Sequence, residues 1–411
     1  MSHPVLTDPT TTAPDLPELI FLDEPPRLEP IAVEDRRPGR ARALLRALGT
    51  VWRGLASASE WVFGAVALVG GLAVLSAVPV LQLLSFGYLL ESGGRVARTG
   101  RLRDGFVGVR KAARVGSAAI GTWLVILPVR FVSMLAVSAQ LVDPGGPIAR
   151  RWRVGLLVLT ILTALHIVAA CARGGKLRYF LWPLGNPFWL GRRLLRDAGG
   201  FYAASRDAVW SFVASLRLPY YFRLGFLGFI GTLAWIILPV SLIAVGRKAP
   251  PAGLLGALLM GIVALALPFL QARFGAEGRF RAIFEYRGVR ERFRHAPWAF
   301  AVALLMTLVF AVPLYLLKIQ MIPRETVWVP SLVFLGFIFP ARLITGWAYA
   351  RSCRRERPRH WFFRVTTRLG LVPVAAFYVL IVYFSQFLAW NGIASLYEQH
   401  AFLLPVPFLD M

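Results

Sequence analysis

Apolar runs of bilayer length alternate with arginine-dense loops along most of this chain, and no water-soluble fold accommodates that pattern. Thirty residues, Trp61 to Leu90, are almost unbroken in apolar character, and Arg95, Arg98, Arg101, Arg103, Arg110, Lys111 and Arg114 follow at once. The alternation continues toward the C-terminus. It predicts an all-α, polytopic helical integral membrane protein, because only helices and closed barrels satisfy every backbone group within lipid.

Composition agrees. Charged residues make up 16% of the 411, against about 25% in soluble domains. The formal net charge of +25 would suit nucleic acid, but the basic residues fall in short loops between apolar spans. There they mark the cytoplasmic side and meet anionic headgroups. The expected partners are therefore membrane lipids rather than nucleic acid. Arginine outnumbers lysine 42 to 4, and this usage, rich in Arg, Ala and Pro, points to a GC-rich bacterial genome and a bacterial cytoplasmic (inner) membrane. The two cysteines, Cys171 and Cys353, are predicted near cytoplasmic span ends, where a reducing compartment keeps thiols free.

Residues 1–35 are acidic, with Asp8, Asp15, Glu18, Asp23, Glu24, Glu29, Glu34 and Asp35 against Arg27. Such a stretch buries too little apolar surface to order itself, so a disordered tail is expected. Residues 36–58 are a basic juxtamembrane segment. Within it Leu44, Leu45, Leu48, Val51 and Trp52 share one helical face opposite Arg42, Arg46 and Arg53. That pattern suits a helix lying among headgroups, or one packed on the protein's own loops.

Seven clear transmembrane helices are expected at roughly 116–138, 154–171, 224–246, 252–271, 298–317, 327–349 and 369–390, each near the 20 residues that span a bilayer. Basic residues crowd 91–115, 172–223, 273–295 and 351–368, which the positive-inside rule places in the cytoplasm. The C-terminus, with Glu398 and Asp410 and no basic residue, then falls outside. The segment 59–90 is too long for one upright crossing and too short for two full ones. It reads either as a re-entrant hairpin broken at Gly70, Gly71 and Pro79 or as one tilted span.

The rest of the domain, 59–411, carries two further patterns. Pro79-Val80-Leu81-Gln82 and Pro268-Phe269-Leu270-Gln271 each precede a Phe-Gly, a glutamate and an arginine-rich stretch. They suggest an internal repeat of 59–138 in 252–318, of the kind seen in transporters. The connector 172–223 combines Tyr179, Trp182, Trp189 and neighbouring aromatics with Arg178, Arg192, Arg193 and Arg196. Interfacial anchoring is the plain reading; a pocket for a lipid headgroup phosphate is the sharper one. Gly253, Ala257 and Gly261 repeat every four residues, a spacing for close helix packing within the chain or in a homo-oligomer.

Catalytic signatures are sparse. The spans contain Arg130, Arg342 and His166 but no deep carboxylate, and there is no His-Glu-x-x-His, Walker loop or GxGxxG. No enzyme activity, cofactor or metal is expected. His166 reads as an interhelical hydrogen bonder. Arg130 and Arg342, with Arg178, Arg192, Arg193 and Arg196, are the candidate contacts for lipid headgroups or anions. The Pro79 to Arg98 entry into an arginine-rich elbow, the second elbow Gly275 to Arg294 and the Trp182-Pro183-Leu184 to Pro187 connector resemble a bacterial family of polytopic membrane proteins known only as a domain of unknown function. That resemblance covers much of 59–390 and implies a helical membrane protein without implying an activity. Two expectations follow: a non-enzymatic membrane protein that organises or contacts anionic lipid or membrane partners, or, as the alternative, a permease or channel-like transporter of an anionic or amphiphilic solute.

Overall fold

The computed structural model describes residues 40–182, 185–317, 328–388, 392–398 and 402. The expected acidic tail, 1–35, lies outside them, as does Asp410. Fourteen α-helices and no strand occur among the described residues. Among the described residues, seven helices are long and apolar enough to cross a membrane, Thr50–Ser76 among them, or eight if the bent pair Tyr286–His295 and Pro297–Pro313 is counted as one span. The protein is a multi-pass helical membrane protein.

The chain divides inside its first helix, α1 (Arg40–Ser76), into a unit ending at Leu55 and a unit spanning Ala56–Met411. In the first unit, Val51, Trp52 and Leu55 are all exposed, Trp52 to 73%. The second unit holds the bundle. Here the run 59–90 is two helices: α1 ends at Ser76 and α2 begins at Gln82 and runs to Thr99. The break centres on Pro79 and on Val80, whose φ is 69°. After a 3₁₀ turn at Leu102–Gly105, α3 (Val109–Val142) begins. Trp61 lies on Phe106 with ring centroids 4.9 Å apart, Gly64 abuts Val109 and Ala113, and Ala67 abuts Gly116. The residue numbers rise together, so α1 and α3 run parallel. Between them α2 returns: Ser85 Oγ donates to Leu72 O at 2.9 Å, and Tyr88 Oη donates to Val107 O at 2.9 Å.

Helix α3 pairs with α4 (Pro147–Ala172), and few residues of either are buried, with large apolar side chains such as Phe131, Met134 and Leu162 exposed. Short helices α5 (Leu177–Leu181), α6 (Gly185–Arg196) and α7 (Ala198–Ser215) follow. Then come α8 (Leu218–Val245), α9 (Pro250–Glu277), α10 (Tyr286–His295), α11 (Pro297–Leu317), α12 (Trp328–Cys353), α13 (Trp361–Leu388) and α14 (Ser395–Glu398). The expected span 298–317 is α11. It bends by 116° from α10 at Ala296, so α10 lies across the end of the bundle.

The centre of the bundle is α2. Most of its length, from Ser85 to Gly94, is buried, and three of its glycines let neighbouring backbones come close. Gly87 abuts Tyr221 and Gly225 on α8, Gly93 abuts Gly346 on α12, and Gly94 abuts Gly275 on α9. In lipid such packing, rather than water exclusion, drives helix association. The expected stripe on α9 behaves unevenly. Gly253 does meet Gly246, but a Cβ on Gly261 would approach only Val379, at 3.9 Å.

The two arginine-rich elbows share a backbone course. Gly100 (φ 71°, ψ 10°) and Gly278 (φ 68°, ψ 5°) end their helices in the left-handed region that glycine occupies freely. Extended Arg101 and Arg279 follow, then 3₁₀ turns at Leu102–Gly105 and Phe280–Phe284. The Pro-x-Leu-Gln segments do not correspond in this way: Pro79 sits at the break before α2, and Pro268 lies inside α9.

Candidate functional site

The connector is built from the end of α4 outward. His166, buried on α4, lies 3.0 Å from Phe180 O and 3.3 Å from Asn186 Nδ2. Asn186 Nδ2 also donates to Tyr179 O at 2.6 Å, and its Oδ1 accepts from Arg173 Nη1 at 2.7 Å. Phe180 is 2% exposed and packs on Gly121 of α3, where any side chain would overlap its ring. His166 and Asn186 therefore pin α5 and α6 to the α3–α4 pair through fully partnered polar groups. The histidine acts as an anchor, and among the described residues its hydrogen-bond partners are Phe180 O and Asn186 Nδ2.

From that anchor the aromatics and arginines fan outward. The Arg173 guanidinium lies over the rings of Tyr179 (4.6 Å) and Trp189 (5.5 Å), a cation–π arrangement worth about 0.5–1 kcal/mol where exposed. Arg178 Nη2 donates to the Tyr179 hydroxyl at 2.9 Å, and this bond holds the phenol below its ordinary pKa. Trp189 meets Phe201 edge-on at 6.0 Å. Between them opens a cavity of about 290 Å³ lined by Trp189, Phe201, Gly200, Arg192, Arg193, Arg196 and Asp197.

Three arginines thus converge on one cavity. All three are exposed, and none is in an ion pair among the described residues. Asp197, the lone acid in the lining, is engaged: it caps α7 by accepting from Gly200 N at 2.8 Å. The cavity therefore presents three cations, the start of α7 with its positive dipole end, and two aromatic walls. Such a set can bind a phosphate by charge-assisted, bidentate bonds.

The six candidate arginines divide three ways. Arg192, Arg193 and Arg196 come together, with Arg178 on the same connector. Arg130 stands exposed on α3. Arg342 is buried in the interior of the bundle, 7% exposed, where its Nη1 donates to Gln271 Oε1 and its Nη2 to Phe402 O at 3.1 Å. Gln271 Nε2 donates to Thr232 Oγ1 at 2.7 Å and to the same Phe402 carbonyl at 2.8 Å. The sequence reading missed Arg173 and Asn186, which hold the connector's shape, and Phe402, whose carbonyl completes the interior network. Only the buried-polar pattern of the folded chain reveals them.

No protein-family model, curated protein or solved structure matches this chain.

Proposed function

We propose that this protein is a non-enzymatic, multi-pass protein of a bacterial cytoplasmic membrane that contacts and organises anionic lipid through its connector. One observation carries the reading: Arg192, Arg193 and Arg196 open on a single aromatic-walled cavity, outside any ion pair among the described residues. An anionic headgroup supplies the missing negative charge, while Trp189 and Phe201 suit the interfacial layer where such rings settle. The resemblance to bacterial polytopic membrane proteins of unknown function is consistent with this reading and adds no activity to it.

The transporter alternative would rest on Arg342 as an interior anion site. Both terminal nitrogens of Arg342 already serve protein acceptors, Gln271 and Phe402, so a solute would have to displace that network. The connector needs no such rearrangement.

The test is lipid-dependent thermal stability of the purified full chain. Phosphatidylglycerol should raise the melting temperature more than phosphatidylcholine at low salt, and high salt should weaken the difference, because exposed charges are screened. The R192Q/R193Q/R196Q variant should bind the anionic lipid roughly 100-fold more weakly, about 1 kcal/mol for each arginine. An unchanged response to phosphatidylglycerol in that variant would remove the connector from the account.

A further inference from the structure

The seam between α9 and α13 carries polar and apolar surface that the connector does not use. Two cavities open there. One, about 390 Å³, has Arg290, Arg368 and Tyr286 in a lining otherwise of Leu265, Phe269 and similar apolar side chains. The other, about 410 Å³, is almost wholly apolar and is lined by Ala257, Gly261, Ala376 and Val379 among others. Leu265 and Val372 belong to both linings, so the two form one groove.

The groove exists because both of its walls carry small residues. Ala257 and Gly261 on α9 face Ala375 and Ala376 on α13. The helices do not close tightly there: a Cβ on Gly261 would meet only the Val379 side chain, at 3.9 Å. Along α13 the groove runs from Arg368 to Tyr383, about 22 Å at the helical rise. That length exceeds one leaflet of a hydrocarbon core about 30 Å thick.

Its two ends differ in chemistry. At one end α10 crosses the bundle, and Arg290 from α10 lines the same cavity as Arg368 from α13. The Arg368 guanidinium lies 5.5 Å from the centre of the Phe293 ring, which orients it. Neither arginine is in an ion pair among the described residues. Two cations outside any ion pair therefore cap a slot with apolar walls. That is the charge and shape complement of a single anionic phospholipid, its phosphate between the guanidiniums and one acyl chain lying along α9 and α13.

We infer that the α9–α13 groove holds one anionic phospholipid, with Arg290 and Arg368 on the headgroup and the Ala257–Gly261 wall against the acyl chain. This site rests on the reading of the protein as a lipid-contacting membrane protein but uses none of the connector residues, so the two can fail separately. A chain seated between two helix walls should also survive washing that strips an exposed headgroup contact.

Native mass spectrometry of the full chain, purified at high salt and titrated with phosphatidylglycerol or phosphatidylcholine, tests it. The wild type should keep one tightly held lipid and prefer phosphatidylglycerol. R290Q/R368Q should lose that preference, weakening phosphatidylglycerol binding roughly 30-fold. Gly261→Leu should reduce retention of both lipids by filling the slot, whereas Gly261→Ala, which leaves most of the space, should retain them and serve as the folded control. R192Q/R193Q/R196Q should keep the tightly held lipid even if it loses the salt-sensitive response. Equal retention of both lipids by the wild type would overturn the site, as would indifference to Gly261→Leu. Loss of the retained lipid only in the connector variant would overturn it too, assigning that lipid to the connector.

Discussion

At the scale of single residues, Arg342 shows how a charge is kept inside a membrane domain without a carboxylate. Its guanidinium serves two oxygens, Gln271 Oε1 and Phe402 O, and lies 5.9 Å from the Phe86 ring centre. Ionisable groups in spans commonly face the bundle interior and use carbonyls in this way. Phe402 is buried against Tyr378, with ring centroids 5.6 Å apart, so the arginine also ties the chain beyond α14 back into the bundle. Arg342→Met removes the donors and leaves Gln271 Oε1 unpaired, a cost of about 1–3 kcal/mol for a buried polar group. The expected outcome is a lower melting temperature in detergent together with faster proteolysis after α14. Unchanged proteolysis would mean that Phe402 is held by its ring alone. The sequence flagged Arg342 but could not show its partners, because Gln271 and Phe402 stand 71 and 60 residues away and neither carries a charge that would advertise the pairing.

At the scale of elements, the spans were legible and their packing was not. Runs of about 20 apolar residues announce helices whatever surrounds them, and the expected stretches at 116–138, 154–171, 224–246, 252–271, 327–349 and 369–390 fall on α3, α4, α8, α9, α12 and α13, with Gly246 one residue past α8 and residues 327, 389 and 390 outside the described residues. The helix that organises the bundle, α2, was hidden because Glu91, Arg95 and Arg98 interrupt its apolar pattern. In the fold Glu91 is partnered by Arg98 at 2.8 Å and by the Tyr220 hydroxyl at 2.8 Å, which is how a charged helix can be buried. The sequence likeness of the two elbows begins at Pro-x-Leu-Gln, whereas their backbone likeness lies in Gly100-Arg101-Leu102-Arg103 and Gly278-Arg279-Phe280-Arg281. Glycine contacts set the energetic weight. Gly94→Val would drive a side chain into the Gly275 backbone, which cannot rotate away, and overpacking of this sort costs about 1–3 kcal/mol or more. Gly94→Val should therefore yield little monodisperse protein in size-exclusion chromatography, while Gly261→Ala should behave as wild type. Equal yields from the two would show that the α2–α9 crossing is not a tight constraint.

At the scale of the whole molecule, charge and geometry bear on the same question, which side of the membrane each end of the bundle faces. The crowded basic loops favour the cytoplasm by the positive-inside rule, yet that rule alone left 59–90 open, since arginines flank it on both sides. Geometry narrows the choice. Because α1 and α3 run parallel and α2 returns between them, the Trp61 end of α1 lies level with the elbow at Phe106. Ser57 and Arg103 should then share a face, and Gly145, in the turn between α3 and α4, should lie opposite. Cys171 and Cys353 are free and exposed, so both are first replaced by serine. Single cysteines are then placed at Ser57, Arg103 and Gly145 and treated with a membrane-impermeant thiol reagent on intact cells. Only Gly145→Cys should react, and all three should react once the membrane is opened. Reaction of Ser57→Cys together with Gly145→Cys on intact cells would mean that α1 crosses alone. The returning α2 would then stay on the inner side without crossing, and the basic elbow would no longer share a face with the Ser57 end of α1.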